Sequence, residues 1–420
     1  MAVNRRLAHK FRQATKLPAL LLIFVAWIPL TLASLLLLLV PRKKNNQGDT
    51  NDLTVLAPFE PGNRSGGAQA LAGLQDLLKQ RFNPTLLDLL KLDRESGLRS
   101  QVSAFLTYPI PVPDQCRPLL LKPAIAATSL HDCERLLIEF IGPGLFLSLQ
   151  PRPSYPVILR DHEVLIRKLV MDFNESHGLE SIRLALSIAT CYLIGLTIYS
   201  RADRIIALTP EDEAYLHACY PHLRSRTKSI PVHFQCDGIP ETTALVSPRE
   251  LLFVGNFFHQ PNVDALKWFC EEVAPRLEPG FTLHLCGLDA PLDHIELGSR
   301  NLTIIRHGFV DDLESGFAHV GIAISPIVSG GGVRIKNLHL ACLGKAIVST
   351  SLGNQGIGFV DGKDAMIADD AIGMAQRLNR LAAEPQEISR MGQAARAFVK
   401  TAFDADAIRE QLERVIRIRD

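Results

Sequence analysis

The chain alternates short apolar runs with helical periods, stops, and then begins the same alternation again. "LTVLAPFEPGNRSGGAQALAGLQDLLKQ" reads as strand, glycine loop and helix, with Leu53–Ala57 as a buried strand and Ala68–Lys79 at helical spacing. "PTLLDLL" is a further strand, residues 181–200 form a long, mostly apolar helix, and "RADRIIALTPEDEAYLHACY" is a strand leading into a helix. In that last segment Thr209 is a good N-cap, Pro210 fits the first turn, and Glu211 and Asp212 suit the positive helix end. A stretch rich in Pro, Thr and Ser follows, after which "LLFVGNFFHQPNVDALKWFCEEVAP" restarts the pattern. "TLHLCGL", "LTIIRHGFV", "VGIAISPIV" and "KAIVST" are its later strands. Strands that alternate with helices predict parallel sheets in an α/β fold. The expected organisation is a doubly wound domain at 50–237, a linker at 238–249, a second doubly wound domain at 250–403 and an amphipathic terminal helix at 404–420. Such domains bind ligands outside the carboxyl ends of their strands. Two of them joined by a linker imply a cleft.

Ahead of both domains lies "LPALLLIFVAWIPLTLASLLLLLV", residues 17–40, without a charge. A helix of that length crosses a hydrocarbon core of about 30 Å. It exceeds a signal-peptide core and lacks a clear cleavage site, so residues 1–46 are expected to be an uncleaved membrane anchor with basic flanks. Pro29, mid-span, should kink the helix or allow a re-entrant hairpin. Arg5, Arg6, Lys10, Arg12 and Lys16 precede the span and Arg42, Lys43 and Lys44 follow it, a weak bias towards a cytoplasmic N-terminus. Over the whole chain the charge balances, with 45 Lys and Arg against 44 Asp and Glu, which argues against nucleic acid as a partner. No CxxC pair occurs and several of the 8 cysteines sit in apolar runs. Buried free thiols, a reducing compartment and no zinc site are the expectation.

The most chemically pointed stretch is "SPIVSGGGVRIKNLHLACLGKAIVST". Gly330, Gly331 and Gly332 permit close backbone approach, expose amides and open a helix, features that together suit an anion. Arg334 can grip a phosphate with two bonds and Lys336 adds a point charge. A diphosphate is the natural guest; the alternative is a turn needing positive φ with two solvated basic residues. GxxxxGK[ST] is absent, so this is not a Walker loop. In the first half, Asp161, His162 and Glu163 form the most polar cluster, suited to binding hydroxyls or simply to a strand-end loop of solvated acids and a helix cap.

"LLFVGNFFHQPNVDALKWF", "GFVDDL", the glycine-loop stretch and "RMGQAARAFV" together resemble the C-terminal domain of family 4 retaining glycosyltransferases, in the subgroup with GGGVRIK. The first half is similar more weakly, through "LAPFEPGNRSGGAQAL", "VILRDHEVLIRK" and "RADRIIALTPEDEAYL". The resemblance implies two Rossmann-like domains in the GT-B arrangement, holding a nucleotide-diphosphate sugar between them. By position, Gly330, Gly331, Gly332 and Val333 would offer amides to the diphosphate, and Arg334 and Lys336 would neutralise it as it leaves. The segment ending at Val310 would meet the base, Gly255 would join the donor site, and Gly66 and Gly67 would close on donor from the first domain. His162 would face the sugar. No metal and no cofactor beyond the sugar nucleotide are implied, in keeping with the lack of a His/Cys cluster of ligand type. Asp311–Asp312 and Asp369–Asp370 read instead as loop or helix-cap acids.

Two positions depart from the pattern. Where most members carry glutamates, this chain has Gly331 and His339; glycine at the first position occurs in the subgroup, while histidine at the second is unusual. A histidine can hydrogen-bond a ribose hydroxyl, or mark altered donor choice or lost activity. A basic pair after the first C-terminal strand is replaced by "GNFFHQPN". The expectation is a membrane-attached glycosyltransferase at the cell inner membrane, with its domains on the cytoplasmic side where donors are found. It would transfer sugar to a lipid-linked or polysaccharide acceptor. A non-catalytic sugar-nucleotide sensor or scaffold in envelope assembly is the alternative, and an epimerase on the same fold is a third reading.

Overall fold

The computed structural model describes residues 51–57, 66–88, 130, 133–149, 152–174, 176–234, 236–239, 246–288, 301–310 and 312–417, with scattered positions between 21 and 39. Two compact units make up the chain, one from residues 1–231 together with 409–420, the other from Val232–Ile408.

The first unit is a parallel six-stranded sheet in the order β2-β1-β3-β4-β5-β6. Its strands are β1 (Asp52–Ala57), β2 (Asn83–Asp88), β3 (Leu136–Glu139), β4 (Val157–Asp161), β5 (Arg204–Ala207) and β6 (Thr227–Ser229). β3 and β4 are buried along their whole length. Strands covered on both faces have no solvent side to alternate towards, so they read as apolar runs. The helices are α1 (Gly66–Leu78), α2 (Leu165–Asn174), α3 (Leu179–Tyr199) and α4 (Pro210–Cys219). Gly66 and Gly67, expected in a loop, are the first residues of α1. Thr209 caps α4 as expected: the Asp212 N–H donates to its Oγ1 at 2.9 Å. α3 is long and apolar enough to cross a membrane by length and composition. Leu184, Cys191, Ile194, Ile198 and Tyr199 on it nonetheless belong to the core beneath the sheet. Its buried hydroxyls, Ser187, Thr190 and Thr197, turn back onto carbonyls of their own helix.

The second unit repeats the design with the order β12-β11-β10-β7-β8-β9, again parallel. It uses β7 (Ser247–Val254), β8 (Phe281–Cys286), β9 (Leu302–Gly308), β10 (Val320–Ser325), β11 (Ala346–Ser349) and β12 (Ala365–Ile367). Its helices are α5 (Gln260–Trp268), α6 (Leu313–Gly316), α7 (Ile335–Cys342), α8 (Ala371–Ala383) and α9 (Pro385–Ala402). Phe253, Phe269, Phe281, Leu283, Ile322, Val348 and Met391 fill one core. Asp312 and Asp370 cap α6 and α8, as helix-cap acids should; Asp311 lies outside the described residues. The terminal helix α10 (Ala405–Ile416) leads back to the first unit, where the Arg417 guanidinium lies 5.0 Å from the Phe82 ring centroid and donates to Asn51 Oδ1 at 3.0 Å.

The expectation of free thiols is corrected at one pair. Cys236 and Cys342 form a disulfide with a Cα–Cα distance of 5.3 Å, within the range the bond requires. The partners are 106 positions apart, so no local spacing announced them. Cys133, Cys191, Cys219, Cys270 and Cys286 are free thiols, and Cys116 lies outside the described residues. Of the expected membrane span, the described positions from Leu21 to Leu37 are helical; the others lie outside the described residues. Leu21, Val25, Ile28, Leu32 and Leu36 are exposed and recur every three or four positions, the spacing of one helix face.

Candidate functional site

In the second unit the chain leaves β10 at Ser325, runs through the glycine turn and enters α7. Gly330 and Gly332 have φ of 84° and 81°, a region closed to most side chains. A Cβ on Gly330 would lie 2.6 Å from Pro261 Cγ, so the turn also needs glycine to press against the start of α5. Ser329 Oγ donates to Asp264 Oδ2 at 2.8 Å and pins the turn to α5 from the side. α7 is held by its apolar face, Leu338, Leu340, Ala341 and Cys342, and by buried Asn337. The Asn337 amide donates to Ser325 Oγ and to the Gly353 carbonyl, both at 2.9 Å. The amino end of an eight-residue helix is thereby fixed at the carboxyl end of β10.

Both predicted cations stand there. Arg334 is the residue before α7, and its Nη2 reaches the Ser329 carbonyl at 3.5 Å. Lys336, in the first turn, donates to Asn262 Oδ1 at 2.9 Å and sits 4.6 Å from the Phe253 ring centroid. Burial, helped by the neighbouring Arg334 charge, brings its ammonium down to about 7. An anion at the turn would restore the charge. Asn262 and Asn337 were missed in the sequence because an asparagine carries no pattern of its own.

Gly255 follows β7 and donates its N–H to the Cys286 carbonyl at 2.9 Å. Val310 follows β9 and is half-buried. Phe258, Leu288 and Phe309 are exposed just past the carboxyl ends of β7, β8 and β9 and give that end an apolar rim. Val333 and Gly331 lie in the turn between Gly330 and α7. His339 is half-buried in α7, its ring 6.3 Å from that of Phe234. Burial favours its neutral form, with Glu314 pulling the other way.

The first unit gathers a second polar group at the carboxyl ends of β3 and β4. Glu139, fully buried, accepts from Arg160 Nη1 at 2.9 Å and lies 2.5 Å from His162 Nε2. Burial would raise the Glu139 pKa, but Arg160 and His162 outweigh it and keep the carboxyl below its ordinary value. Burial keeps His162 neutral. A neutral ring that donates through Nε2 leaves Nδ1 as an acceptor. Phe140 stacks on that ring at 3.8 Å between centroids and holds φ of 68°, a strained setting for a non-glycine residue at a strand end. Asp161, next along, accepts from Tyr199 Oη at 2.5 Å, and burial raises its carboxyl to about 7. Asp161 and His162 stand out in the sequence as a cluster; Glu139, which ends the neighbouring strand, and Phe140, just past it, do not. Glu163 stands half-buried beyond them.

The sequence offers no His/Cys grouping at ligand spacing, yet folding brings Glu250, His284 and His319 together, with one ligand atom of each inside 4.8 Å of the others. They come from three different strand regions, which a linear reading cannot join.

Residues 248–384 match the family model described as glycosyl transferases group 1. A stretch of 168 residues is 26% identical to an uncharacterized 44.6 kDa protein in the cps region of Klebsiella pneumoniae. It covers 38% of this chain and 43% of that protein, so the chain spans under half of the curated relative it matches. Among solved structures, sucrose-phosphate synthase from Thermosynechococcus elongatus is 15% identical over 88% of this chain and 98% of its own, with a TM-score of 0.65. Anabaena Alr3699/HepE in complex with UDP and glucose is 14% identical over 86% and 98%, with a TM-score of 0.57. At such identities the likeness shows the fold, the GT-B class of two parallel sheets. The family match falls entirely within the second unit.

Proposed function

We propose that the protein is a membrane-attached glycosyltransferase that takes a sugar from a nucleotide-diphosphate donor. The observation that carries this reading is the glycine turn with Arg334 and Lys336 at the amino end of α7, inside the matched domain. Turn amides would hold the diphosphate, and the two cations would balance its charge as the glycosidic bond to the donor breaks. The leaving group then needs no metal. The rim of Phe258, Leu288 and Phe309 suits a nucleobase, and the UDP held by the Anabaena neighbour makes uridine the first base to try. His162, neutral and steadied by Glu139 and Phe140, is suited to accept from a sugar hydroxyl. Retention of the anomeric centre follows from the resemblance to family 4 enzymes.

The exposed apolar face in the 17–40 segment supports attachment to a membrane, where a lipid-linked or polysaccharide acceptor would be met. The cps-region relative fits a role in the cell envelope. The donor pool argues for the cytoplasmic face of the inner membrane. Cys236 and Cys342 are both buried there, out of reach of soluble thiols. His339, in a glutamate's usual position, favours the scaffold reading instead.

The test is calorimetric titration of the full chain in detergent with UDP, GDP, ADP and dTDP. Micromolar binding of one of them, lost in Arg334→Ala and tightened in His339→Glu, is expected. A folded protein that binds none of the four would overturn the donor site and leave the scaffold.

A further inference from the structure

The Glu250, His284 and His319 cluster lies in the second unit, away from the glycine turn. His319 immediately precedes β10 and the turn follows it. A six-residue strand separates them, about 20 Å at about 3.3 Å per residue. Two backbone pairings and one set of ring contacts assemble the cluster. Glu250 pairs with Thr282 in the β7–β8 register, which puts His284 two residues further along the same face. The Ser247 N–H donates to the His319 carbonyl at 2.8 Å and brings that residue beside β7. Phe317, edge-on to His284 at 5.5 Å and to His307 at 4.9 Å, wedges the rings in position.

The polar atoms converge on Glu250, whose Oε2 lies within ion-pair distance of both rings. His284 is 7% exposed, and its Nε2 has no hydrogen-bond partner. Glu250 Oε2, also without one, is 3.5 Å from that nitrogen and 2.9 Å from His319 Nε2. His284 Nδ1 is already engaged, 2.9 Å from His307 Nε2. With Nδ1 engaged by His307, Nε2 is the atom turned towards the carboxylate and His319, where all three could hold a cation.

We propose that Glu250, His284 and His319 bind a divalent transition metal of the zinc class. Two imidazole nitrogens and one carboxylate oxygen are the ligand types zinc takes when it keeps a fourth position for water. Ligand bonds of about 2.0–2.2 Å set tetrahedral ligand atoms about 3.3 Å apart. The 2.9 and 3.5 Å separations bracket that edge. His307 supplies the outer hydrogen bond that fixes the tautomer of a ligating histidine. His319, 47% exposed at its side chain, leaves an entry path. The bound ion would tie β7, β8 and the approach to β10 together, so the site is a brace of the sheet and is independent of the donor reading.

The test uses the full chain in detergent, stripped with a chelator and given zinc or cobalt(II). One zinc retained per chain after desalting, a raised melting temperature, and an intense visible band of tetrahedral cobalt are expected. His319→Ala should abolish retention while leaving the metal-free melting temperature and UDP binding as they were. His307→Ala should weaken zinc by about 10- to 100-fold. No zinc retained by the wild type, or equal retention by His319→Ala, would overturn the proposal.

Discussion

Lys336 is the residue whose chemistry is most exposed to test. Its ammonium titrates at about 7 in the fold against 10.5 when free, because burial and Arg334 disfavour the charge. Between those values the unfolded chain holds a proton that the folded one lacks, so this group's contribution to stability rises with pH across that window. Diphosphate binding runs the other way. The cation is present below about 7, and above it a proton must be taken up with the ligand. UDP affinity should therefore fall as pH climbs from 7 towards 9, by up to about tenfold per unit. Arginine stays charged throughout. Lys336→Arg should flatten that slope, and calorimetry at three pH values would decide; a wild-type affinity that does not change with pH would refute the role.

At the scale of the element, the turn and α7 form one device. Gly330 supplies a left-handed φ and leaves room for Pro261. Alanine there must strain the backbone and push on α5. Gly330→Ala should cost about 1–3 kcal/mol in denaturant unfolding and weaken UDP at the same time. Stability unchanged by that substitution would mean the turn relaxes freely. The glycines and the basic pair were legible in the sequence because they are contiguous. Asn262, which receives Lys336, lies 74 positions away and was not. The same holds for Glu139 with His162, 23 positions apart on neighbouring strands.

Across the molecule, periodicity sufficed for most of both sheets, since a buried parallel strand leaves an apolar run and a covering helix its own spacing. β6 and β12, three residues each, are too brief to show a period, and β3 lies within mixed, Gly- and Pro-rich sequence. The Cys236–Cys342 bond also escaped, and it fastens α7 to the stretch of chain that enters the second unit. Cys236→Ser should lower stability by about 2–4 kcal/mol. Alkylation under denaturing, non-reducing conditions should find both thiols blocked in the wild type; labelling of both would show the bond does not form.

The return of α10 has a consequence for how the protein is made. Arg417 covers Phe82 and reaches Asn51, beside the first strands of the first unit. On the ribosome, those strands emerge early and wait while all of Val232–Ile408 is synthesised. The second unit can close on its own residues as they appear. The first is finished only by residues made after the whole of the second, so a stop just after Ile408 would spare the later unit and leave the earlier one open.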